Sequence, residues 1–172
     1  MISSVITDAD IYLSKLHELI RQFGIIIEPN ELYSLVEVKM TRNQKIVGWE
    51  IKDKEIKFAS GEFLDCDEFG EIDRERWKIT GFSFHFQPVQ NQELLSYRVD
   101  LDKLNGLHLN PVPLDESKHL KPDELELDIS DFNCILATRL AIEYLNHKIY
   151  PADTGSGIYN KVLNGVRRQL KL

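Results

Sequence analysis

The chain has 172 residues, a formal net charge of −7, and hydrophobic and charged fractions of 42% and 28%. These fractions are typical of a folded domain and exclude a disordered or fibrous protein. The excess of acids argues against non-specific nucleic-acid binding by the surface as a whole. No apolar run approaches the ~20 residues that span a bilayer, and the N-terminus has no secretory signal pattern, so we expect a cytoplasmic protein with no membrane partner.

The first predicted element is a helix over about residues 8–23, where large apolar residues recur at helical spacing. Thr7 and Asp10 resemble a capping box at its start, and Gly24 suits its end. The apolar residues 25–27 then predict a short strand or a buried connector.

A β-rich region follows the first helix. Alternating apolar and polar residues, bounded by turn signals, predict strands at about 33–40, 45–51, 56–58, 62–69, 77–87 and 95–101. Tight turns are predicted at 41–44 and at Asp53–Lys54. Because the connections are short, the strands are expected to form an antiparallel meander of five or six strands over residues 33–101.

Two further helices are predicted near the C-terminus. Asp128 or Ser130 is expected to cap a buried helix over about 130–147, which is apolar around most of its circumference, and a short helix is expected over 158–169. The order helix, sheet, helix, helix predicts one α+β domain over residues 1–172, with the helices packed on one face of the sheet.

Residues 104–128 are irregular and polar and contain three prolines, which predicts a long loop. The overlapping stretch 115–131 carries seven acids and two lysines. One functional hypothesis is therefore a non-catalytic interaction module that binds a basic partner through this acidic loop.

Most of the well-marked enzyme motifs are missing from the sequence. There is no P-loop, dinucleotide fingerprint, H-E-x-x-H or nucleophile elbow. Cys66 and Cys134 stand far apart, without C-x-x-C spacing, which favours two buried thiols over a metal site or a disulfide. We therefore expect no cofactor and no bound metal.

The segment Phe82–Phe86 combines a core strand with a reactive side chain. Its three phenylalanines fall on one side of the pleat, and Ser83 and His85 fall on the other. On the next predicted strand, Arg98 and Asp100 fall on the same polar side. A histidine near an arginine and a carboxylate predicts an acid–base or phosphate-contacting site, with His85 transferring a proton and Arg98 binding an anion.

Two more histidines follow in the predicted loop. If that loop folds over the polar face of the sheet, His108 and His119 approach His85. Two histidines and an arginine support metal-free phosphodiester cleavage, whereas three histidines could hold a divalent transition metal, and the spacing does not distinguish these possibilities. A separate pattern, Glu37-Val38-Lys39, matches the E-x-K of metal-dependent nucleases but is also common in edge strands.

An ordered series of short motifs runs through residues 50–120. The motifs are Ile56–Leu64, Asp67–Phe69, Phe84–Gln87, Tyr97–Asp100, and His108 with Asn110–Pro111. This series resembles the TumE-like family of small bacterial toxins. The resemblance implies one component of a bacterial toxin–antitoxin pair, with an antitoxin-like protein partner, RNA as the substrate, and metal-independent cleavage by histidine acid–base chemistry.

The resemblance assigns the chemistry to His85, His108, Arg98 and Asp100. The chain departs from the family pattern in two places. The paired histidines expected near position 108 are replaced by His-Leu-Asn-Pro, and the second histidine cluster is reduced to His119. The N-terminal helix and the C-terminal helices lie outside the resemblance.

Overall fold

A computed structural model describes residues 5–6, 9–22, 26–27, 35–73, 76–89, 93–111, 118–152 and 156–170. Its elements in chain order are β1 (Val5–Ile6), α1 (Ala9–Gln22), β2 (Ile26–Ile27), β3 (Glu37–Met40), β4 (Ile46–Lys57), β5 (Phe63–Asp73), β6 (Arg76–Gln87), β7 (Tyr97–Asp102), β8 (Gly106–Asn110), α2 (Cys134–His147) and α3 (Ser156–Leu170). A 3-10 turn covers Pro122–Glu124. The predicted α+β class is confirmed.

The strands form an antiparallel sheet whose main path runs β2-β4-β5-β6-β7-β8. Two short strands pair alongside this path, β3 with β4 and β1 with β6. The predicted meander is confirmed, because each strand from β4 to β8 pairs with the next one along the chain. The order of these strands is therefore set by local hairpins.

One face of the sheet is apolar and carries the helices. The three phenylalanines of β6 are buried there and lie opposite Leu101, Val99 and Tyr97 of β7. The strand predicted over residues 95–101 includes Leu95, but β7 begins only at Tyr97. Leu95 is 59% exposed, and its backbone N–H donates to the Tyr144 hydroxyl at 2.8 Å instead of to a neighbouring strand.

The helix α2 is the central element of the helical layer. It is buried over nine of its 14 residues and packs against β5 and β6, with α1 and α3 beside it. The predictions of the first and last helices are confirmed to within two residues, although the proposed capping residue Thr7 and the stop residue Gly24 lie outside the described residues. Among the described helices, none is long and apolar enough to cross a membrane.

The start of α2 differs from the prediction. The helix begins at Cys134, and Asn133 is its N-cap, with the Asn133 side chain accepting a hydrogen bond from the Leu136 N–H at 3.1 Å. Asp128 and Ser130 therefore do not cap it. They hydrogen-bond to each other in the preceding loop, where Asp128 also accepts a hydrogen bond from Arg167.

The predicted turn at Asp53–Lys54 is wrong, because β4 continues through it. The register against β5 shifts between Ile51 and Lys54, which marks a β-bulge. Asp53 adopts a left-handed φ of 50°, and its N–H donates to Asp67 Oδ1 at 2.8 Å. An aspartate tolerates this conformation, so the strand absorbs the extra residues without reversing direction. Further upstream, only residues 37–40 of the predicted strand 33–40 form β3, and residues 33–34 lie outside the described part of the chain.

The predicted loop 104–128 is also partly wrong, because residues 106–110 form β8. A tight hairpin joins β7 to β8, with Gly106 at a φ of 69°. Asp102 Oδ1 accepts hydrogen bonds from the N–H groups of Leu104 and Asn105, both at 2.7 Å. The dipeptide Asn105-Gly106 is a strong hairpin signal, and it accounts for the strand that the loop prediction omitted.

Candidate functional site

The face of the sheet turned away from the helices carries two adjacent rows of polar residues across β5 to β8. The His85 row consists of Asp65, His85, Arg98 and Asn110, and the Ser83 row consists of Asp67, Ser83, Asp100 and His108. Neighbours within a row lie directly opposite each other on paired strands, at roughly 4.5–5.5 Å between Cβ atoms. The helices cover the other face, so these rows are held on a rigid support.

A network centred on Asp100 fixes the orientation of Arg98. The Asp100 side chain is 8% exposed, and its Oδ2 accepts a hydrogen bond from Arg98 Nε at 2.6 Å. The Nε2 atom of His108 lies 3.5 Å from the same oxygen. No hydrogen bond to the terminal guanidinium nitrogens of Arg98 is found among the described residues, and its side chain is 32% exposed. These N–H groups are therefore available to an anion.

His108 is buried beneath this network, at 2% exposure. Its Nδ1 lies 3.0 Å from the Gly106 carbonyl oxygen, which requires Nδ1 to donate. Its ring stacks on that of His119, with centroids 4.5 Å apart and planes at 19°. The Nε2 atoms of both rings are buried and have no hydrogen-bond partner within the described part of the chain.

His119 reaches this position through backbone pairing. Leu109 and Leu120 form an antiparallel bridge with two hydrogen bonds of 2.8 Å. This bridge places His119 opposite Asn110 on the polar side of β8. The structure thus brings His119 to His108, whereas the sequence led us to expect that both histidines would approach His85.

His85 lies apart from the two stacked histidines. It is on β6 and His108 is on β8, with β7 between them. The register places His108 two strands across the sheet from His85 and two residues along the strand direction. These steps put the Cα atoms of His85 and His108 about 12 Å apart. Arg98 lies between them, directly opposite His85.

The surroundings of His85 favour the neutral imidazole. Its side chain is 25% exposed, and Nδ1 lies 4.0 Å from Asp65 Oδ2. Burial lowers the pKa of His85 below its ordinary value; Asp65 opposes this shift and Arg98 adds to it. Burial also raises the pKa of Asp65, which accepts a hydrogen bond from the Gln87 side-chain amide. At neutral pH His85 is therefore able to accept a proton.

Four residues of this site were not predicted from the sequence: Asp65, Asp67, Gln87 and Asn110. Asp65 belongs to the predicted strand 62–69, but the sequence does not give the register between β5 and β6. In the sequence, Asn110 stands out only as the residue before Pro111. The alternation Leu107, His108, Leu109, Asn110 is the signal that could have placed it on the polar face.

The acidic loop is partly neutralised within the fold. Arg167 of α3 forms ion pairs with Asp128 at 2.8 Å and with Asp131 at 3.2 Å. The Arg167 side chain is 10% exposed, so these contacts attach the loop to the helix. Asp115 and Glu116 lie outside the described residues.

Two other sequence patterns have structural positions. Glu37 and Lys39 lie on the exposed strand β3, where Lys39 pairs with Glu50 at 2.9 Å. Over the described ranges, no three histidine, cysteine or acidic side chains are grouped so that they could hold a metal ion. The prediction of two buried thiols is confirmed, since Cys66 and Cys134 are free and buried, with their Sγ atoms 4.0 Å apart.

Comparisons of the chain with protein-family models, with curated proteins and with solved structures gave no match.

Proposed function

We propose that this protein cleaves RNA phosphodiesters without a metal ion, as the toxin of a bacterial toxin–antitoxin pair acting in the cytoplasm. The observation that carries the proposal is the His85 row. It sets a histidine with a lowered pKa directly opposite an arginine whose terminal N–H groups are open to an anion. The resemblance of residues 50–120 to TumE-like toxins supports the biological role and implies an antitoxin-like protein partner.

In the proposed reaction, His85 removes the proton from a ribose 2′-hydroxyl. The 2′-oxygen attacks the adjacent phosphorus, and the bond from phosphorus to the 5′-oxygen of the next nucleotide breaks. This step yields a cyclic phosphate and a 5′-oxygen, which takes a proton from water and becomes a hydroxyl. The hydroxide that remains takes the proton that His85 had removed, and His85 returns to its neutral form. Arg98 contacts the non-bridging oxygens and stabilises the negative charge that develops on them.

We assign positioning roles to the residues behind Arg98. Asp100 holds the Arg98 guanidinium, and His108 packs against Asp100 at the buried end of the network. The 2% exposure of His108 supports this role better than direct proton transfer to a substrate. Asp65 lies on the side of His85 away from Arg98. Its carboxylate is near Nδ1 and favours the ring orientation in which His85 Nε2 is directed away from Asp65.

The alternative function, a module that binds a basic partner through residues 115–131, has less support. Two of the acids in that stretch, Asp128 and Asp131, are already paired with Arg167. A charge that is compensated within the fold contributes little to the attraction of a partner.

The test is cleavage of a single-stranded oligoribonucleotide by the purified protein in buffer containing a chelator. We expect His85→Ala to lower the rate by about 10²–10⁴-fold, which is typical of the loss of a general base. His147→Ala is the matched control, because His147 is exposed on α2 and pairs with Glu143 at 3.0 Å. In parallel, expression of the wild type should arrest growth and His85→Ala should relieve the arrest.

The pH profile provides a second readout. The neutral form of His85 is the active one, so the rate should rise with pH through a pKa below the ordinary histidine value and then level off. The proposal is wrong if the wild type cleaves no RNA, or if His85→Ala cleaves it as fast as the wild type does.

A further inference from the structure

We infer that a row of three residues beside the His85 row, Lys57, Phe63 and Gln87, is a stacking site for one nucleobase of single-stranded RNA. We call it the Phe63 row. The inference rests on the proposed function, and it specifies which part of the substrate is bound next to the reacting phosphate.

The register of the sheet places this row. Phe63 of β5 lies opposite Lys57 of β4 and opposite Gln87 of β6. Phe63 is two residues before Asp65, and Gln87 is two residues after His85. The Phe63 row is therefore one pleat repeat, roughly 6.8 Å, from the His85 row and on the same face of the sheet.

Phe63 differs from the other aromatic residues near it. Phe58 and Phe86 are buried in the core and contact each other, with ring centroids 6.5 Å apart. Phe63 is half-buried on the polar face, and no ring contact to it is found among the described residues. An aromatic ring that is partly open on the polar face of a sheet is the arrangement by which several RNA-binding domains stack bases.

The polar residues of the row suit the edge of a base. The Gln87 side-chain amide donates to Asp65, which leaves the carboxamide oxygen as an acceptor for an amino group. The Lys57 side chain is 34% exposed and pairs with Glu55 at 3.5 Å. Because Lys57 and Arg98 are each paired with a carboxylate, most of the affinity must come from stacking and not from net charge. Binding should accordingly depend only weakly on salt.

The occupant is a base of single-stranded RNA because a base in a duplex has both faces already covered. Only an unpaired base can be turned out onto a protein ring. Base–aromatic stacking contributes roughly a 5- to 150-fold change in Kd for each base. A single ring in the row next to the His85 row thus selects unpaired RNA at the point of cleavage.

The experiment measures binding of a fluorescein-labelled, single-stranded oligoribonucleotide of mixed sequence by fluorescence anisotropy. The full-length protein carries His85→Ala so that the probe stays intact. We expect Phe63→Leu to raise Kd by roughly 5- to 150-fold, because it keeps apolar volume but removes the π-face, and Phe63→Trp to bind at least as tightly as the parent. The probe made entirely of abasic residues should bind the parent and the Phe63→Leu variant equally.

Phe69→Leu is the matched control. Phe69 is on the same strand and face and is also half-buried, but its ring lies across Gly81, 3.8 Å from the position that a Cβ would take there. Its substitution should leave Kd unchanged. Phe63→Trp retains the ring and so separates stacking from any loss of folded protein.

The outcomes distinguish the two proposals. If the parent binds RNA and Phe63→Leu binds it equally well, or if Phe69→Leu weakens binding as much, the Phe63 row is not a base site and the proposed cleavage is unaffected. If the parent binds no RNA at all, the base site and the proposed function are both overturned.

Discussion

The strongest prediction about stability concerns Glu68, a carboxyl group that is fully buried on the core side of β5. It accepts hydrogen bonds from the Tyr12 hydroxyl, from Trp49 Nε1 at 2.8 Å, and from the backbone N–H of Cys134 at 2.8 Å. Cys134 is the first residue of α2, so Glu68 also lies at the positive end of that helix. One side chain thus joins α1, β4, β5 and α2.

The magnitude follows from the number of donors. Glu68→Ala leaves the Tyr12 hydroxyl and Trp49 Nε1 without an acceptor, and each such loss costs about 1–3 kcal/mol. The Cys134 N–H loses its shorter hydrogen bond but still donates to the Tyr12 hydroxyl oxygen at 3.2 Å. Relief of the buried charge and entry of water offset part of the cost, so we expect a net loss of about 2–4 kcal/mol. Glu68→Gln retains one acceptor oxygen but turns an N–H₂ group toward a donor, and we expect it to cost about 1–3 kcal/mol.

The pH dependence has a definite sign. Burial raises the pKa of Glu68, although the hydrogen bonds from Trp49, Cys134 and Tyr12 oppose the shift. The unfolded pKa is about 4.3, so the folded protein binds this proton more tightly than the unfolded chain does. The stability that results is fully present below the unfolded pKa and is lost as pH rises through the raised folded pKa.

Urea denaturation followed by tryptophan fluorescence measures both effects, with an unchanged m-value as the test that only stability has changed. The free energy of unfolding of Glu68→Gln should fall below that of the wild type by more at about pH 5 than at about pH 8. If this difference in free energy grows with pH instead, the hydrogen bonds outweigh burial and the ionised carboxylate is the favoured form. A cost below about 1 kcal/mol for Glu68→Ala would refute the argument from orphaned donors.

Two further predictions test packing and the loop attachment. Gly70→Ala should destabilise the protein by about 1–3 kcal/mol, because the added methyl group would overlap the Trp49 ring. Gly165 on α3 has open space around it, so Gly165→Ala should stabilise the protein by up to about 1 kcal/mol. Thermal melting compares the two variants. Burial opposes the shift, but hydrogen bonds from Ser130 and from Arg167 hold the pKa of Asp128 below its ordinary value. Arg167→Met should therefore raise the pKa of Asp128; a carboxyl titration by NMR that shows no rise would contradict the contact between Arg167 and Asp128.

The parts of the fold that were predictable are those with local signals. The period of two in the Phe82 strand fixes both of its faces, and the same period places Arg98 and Asp100 together on the polar side. The helix spacing over residues 8–23 and 158–169 gave α1 and α3 to within two residues. These features depend on neighbouring residues alone.

The features that were missed depend on pairing between distant residues or on local backbone irregularities. Asp65 faces His85 only because β5 and β6 pair in one particular register, which includes a bulge between Phe69 and Gly70. Similarly, the bulge at Asp53 continues a strand where a turn was expected. The contact of His119 with His108 needs the bridge between Leu109 and Leu120, which no sequence period indicates.

The meander topology has a consequence for the order of folding. From β4 to β8 each strand pairs with its chain neighbour, so every hairpin closes a short loop at a small cost in conformational entropy. The contact between Tyr12 and the backbone of Cys134 joins residues 122 positions apart. We expect the sheet to form from successive hairpins in the transition state, and α1 to dock against α2 only afterwards, so that the contact between Tyr12 and Cys134 forms last.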